Sequence, residues 1–281
     1  MSASDAAFGM ALAIDACAGR ALQGFAAGML REGYEVTATH EATHWWFRSR
    51  RDLFLRQVAR AAAGLRRPDR RLRILDYGCG TGFNLEPLAA YGDVVGADVA
   101  DLALGEFRKA AATPLLDLRQ DLAAHHGRYD IVVALDVLEH CEDDVTGLGE
   151  MTRFLVPDGQ LVLTVPAYDW LWSGEDVVSR HLRRYTRRRL VAACAAAELR
   201  VLYASYFNLS ILPAMAATIW TRRLLDPATR ERSNVKPTAP WLNEALYTIT
   251  AAEARWVGDE RLALPAGASL VCRLARTARG V

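Results

Sequence analysis

The spacing of the apolar residues changes from helical to strand-like near residue 70. Residues 6–32 are rich in alanine and carry apolar side chains at helical spacing, and a second helical region is predicted from about Glu41 to Leu65. The polar run at 66–71 interrupts this pattern, and the compact apolar run at 72–78 predicts a buried strand. The first 70 residues are therefore predicted to form a helical lid in front of a sheet.

Strands and helices alternate after this point. Further apolar runs, each of which predicts a strand, lie at 93–99, 129–137, 160–166, 199–205 and 269–275. Helical stretches such as 101–112 and 143–155 separate them, which predicts right-handed βαβ units and a doubly wound, parallel α/β sheet. Two predicted helical segments, near 208–225 and 240–257, lie between the last two predicted strands. The predicted division is a lid at 1–70, a core at 71–206, an inserted helical cap at 207–264 and the last core strand at 265–281.

Composition and charge limit the classes of partner. A chain of 281 residues with 52% hydrophobic residues can build a sizeable core, and a formal net charge of +1 provides no global field that would attract nucleic acid or an anionic membrane. The five cysteines lie far apart without a CxxC pair, which is typical of a reduced, cytoplasmic protein. The apolar run at 211–220 is shorter than the roughly 20 residues that a bilayer requires, so we expect no stable membrane insertion.

A glycine-rich loop follows the first predicted strand. Asp76 closes the strand, and glycines at 78, 80 and 82 precede a predicted helix. Such a loop allows a sharp turn and lets a ligand approach bare backbone near free helix amides. A dinucleotide fingerprint would place its third glycine at position 83, where this chain has Phe83. The spacing therefore disfavours a nicotinamide cofactor.

The loop resembles motif I of class I methyltransferases that depend on S-adenosylmethionine (SAM), in which an acidic residue precedes three glycines at alternate positions. The resemblance implies a Rossmann-like fold with a seven-stranded sheet. It also implies roles for several residues in this sequence. The methionine part of SAM would be held by the loop, the ribose hydroxyls would bind a carboxylate after the second strand, the adenine would lie beside the end of the third, and an acid would end the fourth. These cofactor-binding candidates are Asp76, Gly78, Cys79, Gly80, Gly82, Asp98, Val99, Asp121, Leu122 and Asp136.

The alternatives to these roles are structural. Asp98 would then cap a helix, and Asp121 would be a solvated loop acid. His140, in the pentapeptide DVLEH that begins at Asp136, would be a packed and hydrogen-bonded histidine.

The resemblance extends along most of the chain. HWWFRSRR before the first strand, VPAYDWLWS after the fifth and HLRRYT further on are similar to one bacterial branch of class I methyltransferases. That branch usually has histidine where this chain has Glu175, so the departure places a second carboxylate beside Asp176.

Aromatic, acidic and basic residues are concentrated where the acceptor should bind. The loop after the fifth strand faces the methyl group of SAM, because ligands of this fold bind at the carboxyl ends of the strands. We therefore predict that the acceptor is bound by Trp45, Trp46, Phe47, Arg50, Tyr168, Trp170, Trp172, His181, Arg183, Arg184, Tyr185 and Tyr206, with Phe207 nearby.

This cluster suits methylation of an alkene carbon. Attack of a double bond on the methyl group leaves a carbocation, which aromatic faces stabilise by roughly 0.5–2 kcal/mol each. Glu175 would then remove a proton, with His140 and Asp176 as further catalytic candidates, and the arginines would bind a diphosphate. The main prediction is therefore C-methylation of a prenyl diphosphate of the geranyl or farnesyl type. The similarity to prenyl diphosphate C-methyltransferases allows Mg²⁺ on the diphosphate.

Two other functions stay open. One is a SAM-dependent N- or O-methyltransferase of another small secondary metabolite, in which His140 or His181 accepts the proton. The other is a SAM-binding subunit without turnover. For the acceptor cluster itself, the structural alternatives are that the tryptophans are core residues and that the run from His181 to Arg189 is a solvated helix start. The predicted partner is a small molecule, hydrophobic with an anionic head, and not a nucleic acid, since the fourth strand lacks the motif used on flipped bases. Pairing of the apolar N-terminal helix would give a homodimer.

Overall fold

The fold is built on one seven-stranded sheet. The computed structural model describes residues 29–277 except 66, 107, 110–111, 226–231 and 234. The strands are β1 (Leu72–Tyr77), β2 (Gly92–Asp98), β3 (Leu115–Asp117), β4 (Tyr129–Leu135), β5 (Leu155–Pro166), β6 (Leu199–Phe207) and β7 (Ser269–Arg276). Their order across the sheet is β3-β2-β1-β4-β5-β7-β6. Strand β7 runs antiparallel to both of its neighbours, whereas the pairs among the first five strands are parallel. The predicted Rossmann-like α/β class is confirmed.

The central strands are buried because helices cover both faces of the sheet. Ile131, Val132 and Val133 of β4 are all fully buried although their side chains alternate between the two faces. Such strands appear in the sequence as unbroken apolar runs, which explains why they were predicted correctly.

Helices surround the sheet and extend beyond its carboxyl edge. They are α1 (Arg31–His40), α2 (Trp45–Gly64), α3 (Leu85–Leu88), α4 (Asp101–Leu104), α5 (Asp144–Arg153), α6 (Gly174–Val178), α7 (Arg187–Ala196), α8 (Leu212–Leu225) and α9 (Pro240–Gly258). Short 3₁₀ segments lie at Ala123–His125, Leu138–His140 and Asp169–Leu171. Helices α8 and α9 lie between β6 and β7, where the cap was predicted.

Helix α9 packs along α2 through polar contacts. Gln57 donates from Nε2 to the carbonyl of Gly258 at 3.0 Å, and Tyr247 donates from its hydroxyl to Asp52 at 2.8 Å. An ion pair joins Arg48 to Glu244. The segment inserted between β6 and β7 is therefore attached to the N-terminal helices as well as to the sheet.

Three sequence predictions were wrong in detail. Helix α1 occupies a stretch that was placed before the second helical region, the helix predicted at 101–112 is only one turn, and the third strand ends at Asp117 and not at Asp121. Strand β3 has three residues at the edge of the sheet, too short for a clear periodicity. Residues 1–28 lie outside the described residues, so the division into lid, core and cap stays a prediction.

The described helices differ in length or polarity from a helix that spans a membrane. None of them combines the length and the apolar composition that crossing a bilayer requires.

Candidate active site

A large cavity lies at the carboxyl edge of the sheet, where the chain direction across the sheet reverses. Strands β1 and β4 are neighbours, and the chain continues from them toward opposite edges, which makes this position a topological switch point. The cavity has a volume of about 1170 Å³. Its wall includes the glycine loop, the ends of β2 and β4, and parts of α1, α2, α8 and α9.

The glycine loop has a backbone that only glycine adopts easily. Gly78, Gly80 and Gly82 have φ angles of 78°, 55° and 76°. A Cβ atom on Gly78 would lie 2.6 Å from Val137, whereas one on Gly80 would meet open space. Gly78 and Cys79 donate their amides to the carbonyl of Ala97 at 2.7 and 3.0 Å. The loop is thus fixed to β2 and presents bare backbone to the cavity, although Gly82 itself forms the turn and does not line the wall.

Asp98 fixes the loop from the end of β2. Its carboxylate accepts the amides of Gly80 at 2.8 Å, Val99 at 2.8 Å and Ala100 at 2.9 Å. Burial raises the pKa of Asp98, and these three hydrogen bonds oppose the rise. Asp98 and Val99 both line the cavity. The side chain therefore fixes the loop and lies where a ribose can bind, and it is not the helix cap of the structural alternative, since no side chain caps α4.

Asp76 is a buried carboxylate without a hydrogen-bond partner. It is 1% exposed, and neither of its oxygens is hydrogen-bonded. Burial and the nearby charge of Asp98 raise its pKa to about 7. Since Asp76 lines the cavity, a cationic ligand group could supply the missing partner.

Helix α1 and the turn after it close the cavity beside the glycine loop. Tyr34, Thr37 and Glu41 line the wall, and Glu41 accepts a hydrogen bond from Thr81 at 2.7 Å. Lys109 forms an ion pair with the other oxygen of Glu41 at 2.7 Å. The sequence analysis did not identify these residues, because Tyr34 and Thr37 lie before the second predicted helical region and Glu41 only at its start.

The adenine-side candidates lie outside the cavity. Asp121 is exposed and accepts the amide of Ala123 at 2.9 Å, so it acts as the loop acid of the alternative interpretation. Leu122 packs against the core. Leu118, directly after β3, lines the cavity instead. The correction follows from the position of β3, since the residue after a parallel strand is the one that reaches this edge.

Asp136 follows β4 and is held by a cation. It has a φ of 55° and accepts hydrogen bonds from Arg50 and from Thr164, the latter at 3.1 Å. Arg50 also donates to Ser269 on β7. Asp136 and Arg50 both line the cavity and form an ion pair with each other, and their binding roles stay predictions.

Two histidines meet at the cavity wall. His140 lies in the 3₁₀ segment after β4 and His181 between α6 and α7, with ring centroids 4.9 Å apart. His181 bonds through Nδ1 to Asp176 at 2.9 Å. Burial and the neighbouring His181 lower the pKa of His140 to about 4, so that this ring is neutral at physiological pH. Both rings line the cavity.

Asp176 orients His181 and does not face the acceptor. It is fully buried and binds Arg184 through both oxygens at 2.8 Å, in addition to His181. Burial would raise the pKa of Asp176, but the hydrogen bonds from His181 and Arg184 outweigh it and hold the pKa at about 2. A carboxylate so paired is a poor proton acceptor, and it does not line the cavity. The prediction of Asp176 as a catalytic residue is corrected to a positioning role.

Glu139 lies beneath the histidines and was not predicted. It is fully buried, and neither oxygen has a hydrogen-bond partner. Its Oε1 lies 3.8 Å from Nε2 of His181. Burial and the charge of Asp136 raise the pKa of Glu139 well above its usual value. The sequence signal that could have identified Glu139 is its position in DVLEH, between the candidates Asp136 and His140.

Only a third of the aromatic residues predicted around the acceptor line the cavity. Trp45, Trp46 and Phe47 of α2 line the cavity. The members that do not line it are Tyr168, Trp170, Trp172, Tyr185, Tyr206 and Phe207. Tyr168 stacks between Trp170 and Tyr206, and Trp170 is 42% exposed on the outer side. Tyr185 is fully buried and donates its hydroxyl to Asp144 at 2.7 Å. These side chains pack against one another or the core, but Trp170 is too exposed to be the core residue of the structural alternative.

The arginines that were predicted to bind a diphosphate lie in different environments. Arg183 points away from the cavity and binds Asp144 and the carbonyl of Glu142. Arg184 lines the cavity, but its guanidinium is paired with Asp176. Glu175 lines the cavity and accepts a hydrogen bond from Ser233 at 2.6 Å, so its role as a base stays a prediction.

The far end of the cavity is apolar. Its wall there is formed by one face of α8, by α9 and by the tryptophans of α2. The apolar residues that line it are Ile211, just before α8, Ala214, Met215 and Ile219 of α8, and Leu242 and Leu246 of α9; Thr218 and Arg222 of α8 line the cavity beside them. Apolar side chains that line a cavity suit a hydrophobic part of a ligand.

Comparison with known proteins supports the class that the fold and the loop define. A family model described as a methyltransferase domain matches residues 44–204. The ubiquinone biosynthesis O-methyltransferase of Azorhizobium caulinodans is 35% identical over 150 residues, which is 49% of this chain and 59% of the relative. The protein of the same name from Ruegeria pomeroyi is 32% identical over 173 residues, which is 56% of this chain and 70% of the relative. A match to a Cereibacter sphaeroides relative spans 41% of that protein, so this chain covers about half the length of such relatives.

Solved structures of similar proteins share lower identity. A geranyl diphosphate C-methyltransferase from Streptomyces coelicolor is 14% identical, with a TM-score of 0.46 and coverage of 78% of both chains. A SAM-dependent methyltransferase from Mesorhizobium loti is 16% identical, with a TM-score of 0.45, and the match covers 77% of this chain and 96% of that one.

The sheet order, the glycine loop and the family match define a class I SAM-dependent methyltransferase. The chain belongs to the family of methyltransferase domains, and SAM is the methyl donor of this class.

Proposed function

We propose that this protein transfers the methyl group of SAM to an oxygen of a small, largely hydrophobic acceptor. The observation that carries the proposal is that one cavity holds both the glycine loop and a histidine oriented by a buried carboxylate. A loop of this kind suits the cofactor, and an oriented imidazole suits removal of a proton from a hydroxyl group.

The cofactor would lie over the glycine loop. Gly80 offers open space for close approach, Asp98 can accept the ribose hydroxyls, and Leu118 replaces Leu122 as the apolar neighbour of the adenine. The unpaired carboxylate of Asp76 would face the positively charged methionine part of SAM. The methyl group would then point toward β4 and β5, since those strands continue the crevice from the switch point.

The acceptor oxygen would lie against His181. Because Nδ1 of His181 is hydrogen-bonded to Asp176, Nε2 is the nitrogen directed away from that carboxylate. An oxygen lone pair would form the new bond to the methyl carbon, the sulfonium sulfur would keep the electrons of the broken bond, and Nε2 would take the hydroxyl proton. The apolar wall of α8, α9 and α2 would bind the hydrophobic part of the acceptor.

The names of the relatives favour oxygen over carbon or nitrogen. The relatives from Azorhizobium caulinodans and Ruegeria pomeroyi are O-methyltransferases of ubiquinone biosynthesis, which makes a hydroxylated acceptor with a hydrophobic tail the first class to test. C-methylation of a prenyl diphosphate has less support, because Tyr168, Trp170 and Arg183 lie outside the cavity wall. Mg²⁺ on a diphosphate is not part of the proposal for the same reason.

Mass spectrometry of reaction mixtures tests the proposal. Purified protein and SAM would be incubated with phenols and hydroquinones that carry prenyl tails, with amines, and with prenyl diphosphates. We expect a product heavier by one methyl group on oxygen, lost in His181→Gln and retained in the matched variant Trp170→Ala, whose side chain lies outside the cavity. SAM affinity, measured by calorimetry, should be the same in both variants. Methylation of the diphosphates alone would contradict an oxygen acceptor.

Two further predictions from the sequence, a homodimer and a cytoplasmic location, remain proposals. A homodimer through the N-terminal residues 1–28 involves a segment outside the described structure, and light scattering on the full chain and on a chain lacking these residues tests it.

A further inference from the structure

We propose that Glu139, His140 and His181 form a binding site for a divalent cation that prefers nitrogen and oxygen ligands, such as Zn²⁺, Mn²⁺ or Fe²⁺. One ligand atom from each of the three side chains lies within 4.8 Å of the others. Two of the three residues line the cavity, so the site would be reached from it.

The buried carboxylate of Glu139 is the group that requires a partner. Both oxygens of Glu139 are buried and lack a hydrogen bond, while the whole residue is fully buried. A buried carboxylate without partners is rare, because its lost hydration is not replaced. Its Oε1 faces Nε2 of His181 at 3.8 Å. A cation between these atoms would balance the carboxylate and use an imidazole nitrogen that has no other hydrogen bond in this arrangement.

His181 is held in the manner of a metal ligand, and His140 packs against it. His181 is bonded through Nδ1 to the carboxylate of Asp176, which leaves Nε2 for a cation. The His140 ring packs edge-on against His181, with ring centroids 4.9 Å apart. A ligating histidine commonly uses its other ring nitrogen to contact a carboxylate or a backbone carbonyl, which fixes the tautomer and the ring orientation. The same arrangement is present here on His181.

The spacing and the donor types indicate which cations fit. Ligands of Zn²⁺ lie about 2.0–2.2 Å from the metal, so their atoms are roughly 3.4 Å apart in tetrahedral geometry. The pair at 3.8 Å is close to this value, and small rotations of the side chains would close the rest. Two imidazoles and one carboxylate suit zinc, manganese or iron, whereas Mg²⁺ prefers oxygen ligands alone. Three protein ligands leave at least one position open.

The role of the cation rests on the function proposed above. The acceptor hydroxyl would take the open position, where a cation lowers the pKa of a bound hydroxyl group. The proton would then be lost to water as the acceptor binds, and the resulting oxyanion would attack the methyl carbon while the carbon–sulfur bond breaks toward sulfur. With a cation bound, Nε2 of His181 is a ligand, so the direct proton transfer to Nε2 described above would apply only to the protein without the cation.

Metal titration of the chelator-treated protein tests the site without using activity. Zn²⁺, Mn²⁺ and Mg²⁺ would be titrated separately by calorimetry, and Co²⁺ would report its ligand geometry through visible absorption. We expect one zinc or manganese ion per chain and weak binding of Mg²⁺. Glu139→Gln and His181→Ala should reduce the affinity by about 10–100-fold or more. His126→Ala, in which a histidine outside the cavity is removed, is the matched control for nonspecific binding and should bind normally.

The outcomes separate this inference from the proposed function. Absence of stoichiometric binding in the unaltered protein, or binding of Mg²⁺ alone, would overturn the site whatever the variants do. Methylation that continues undiminished after chelation would overturn the catalytic role of the cation and leave the methyltransferase proposal standing. Stoichiometric zinc that is lost in folded Glu139→Gln protein supports the site even if no acceptor oxygen is methylated.

Discussion

The raised pKa of Asp76 makes a quantitative prediction about stability. Asp76 is 1% exposed, and burial together with the charge of Asp98 moves its pKa from 3.8 to about 7. Between these values the folded protein keeps a proton that the unfolded chain has lost. The free energy of unfolding must therefore fall as the pH rises through this range, because stability falls wherever the native state binds more protons. Asp76→Asn removes the titration and keeps a side chain of similar size.

The size of the effect follows from the two pKa values. One pKa unit corresponds to 1.36 kcal/mol, so the penalty on ionised Asp76 grows from about 1.7 kcal/mol near about pH 5 to roughly 4.3 kcal/mol near about pH 8. Relative to Asp76→Asn, the unaltered protein should lose about 3 kcal/mol of unfolding free energy between these conditions. Other titrating groups cancel in this difference of differences.

Urea unfolding of both proteins at the two pH values measures this difference. Asp121→Asn is the matched control, since Asp121 is exposed, and its difference from the unaltered protein should not change with pH. A pH-independent difference for Asp76→Asn would refute the reasoning, because it would show that Asp76 ionises in the folded protein as it does in the unfolded chain. SAM binding should change with pH in the opposite direction to stability. If the cationic group of SAM pairs with ionised Asp76, the affinity for SAM should rise with pH up to about 7 in the unaltered protein and not in Asp76→Asn.

Three further predictions concern the cavity and its supports. Asp98→Ala should weaken SAM binding by about ten- to a hundredfold in calorimetry, because it removes charged hydrogen bonds of roughly 1.5–3 kcal/mol, whereas Asp121→Ala should leave the affinity unchanged. Trp46→Ala should raise the KM of the acceptor about tenfold through lost apolar contact, whereas Trp170→Ala should not; equal effects would contradict the assigned wall. Asp176→Asn should lower the free energy of unfolding by about 3–5 kcal/mol in urea melts, since it leaves a buried arginine unpaired, and a change below about 1 kcal/mol would contradict that pairing.

The fold and the cofactor end of the site were predictable because their signals are local. The strands around Asp76 and Asp98 are short contiguous runs, and the glycine loop joins them within a few residues. Each signal depends on backbone geometry or on burial of a whole strand, and both leave a pattern in adjacent positions. Strand β3 is the exception, since three residues at a sheet edge carry too little pattern to locate its end.

The acceptor end was not predictable in the same way. Arg183 and Arg184 are neighbours in the sequence, yet one binds Asp144 on α5 and the other binds Asp176. Tyr168 was expected in the cavity but stacks on Tyr206 of a distant strand. Periodicity can show that such residues are partly buried, but it cannot show which of several buried environments they enter.

The sequence by itself thus determined the seven-stranded fold, the glycine loop and the carboxylates that flank it. The tertiary structure alone decided which aromatic and charged side chains face the cavity, how Asp176 orients His181, and that Glu139 lies unpaired beneath both histidines. The physical reason is the range of the interactions. Turn geometry and strand burial are set by neighbours in the chain, whereas side-chain pairing depends on elements that the sheet brings together from distant parts of the sequence.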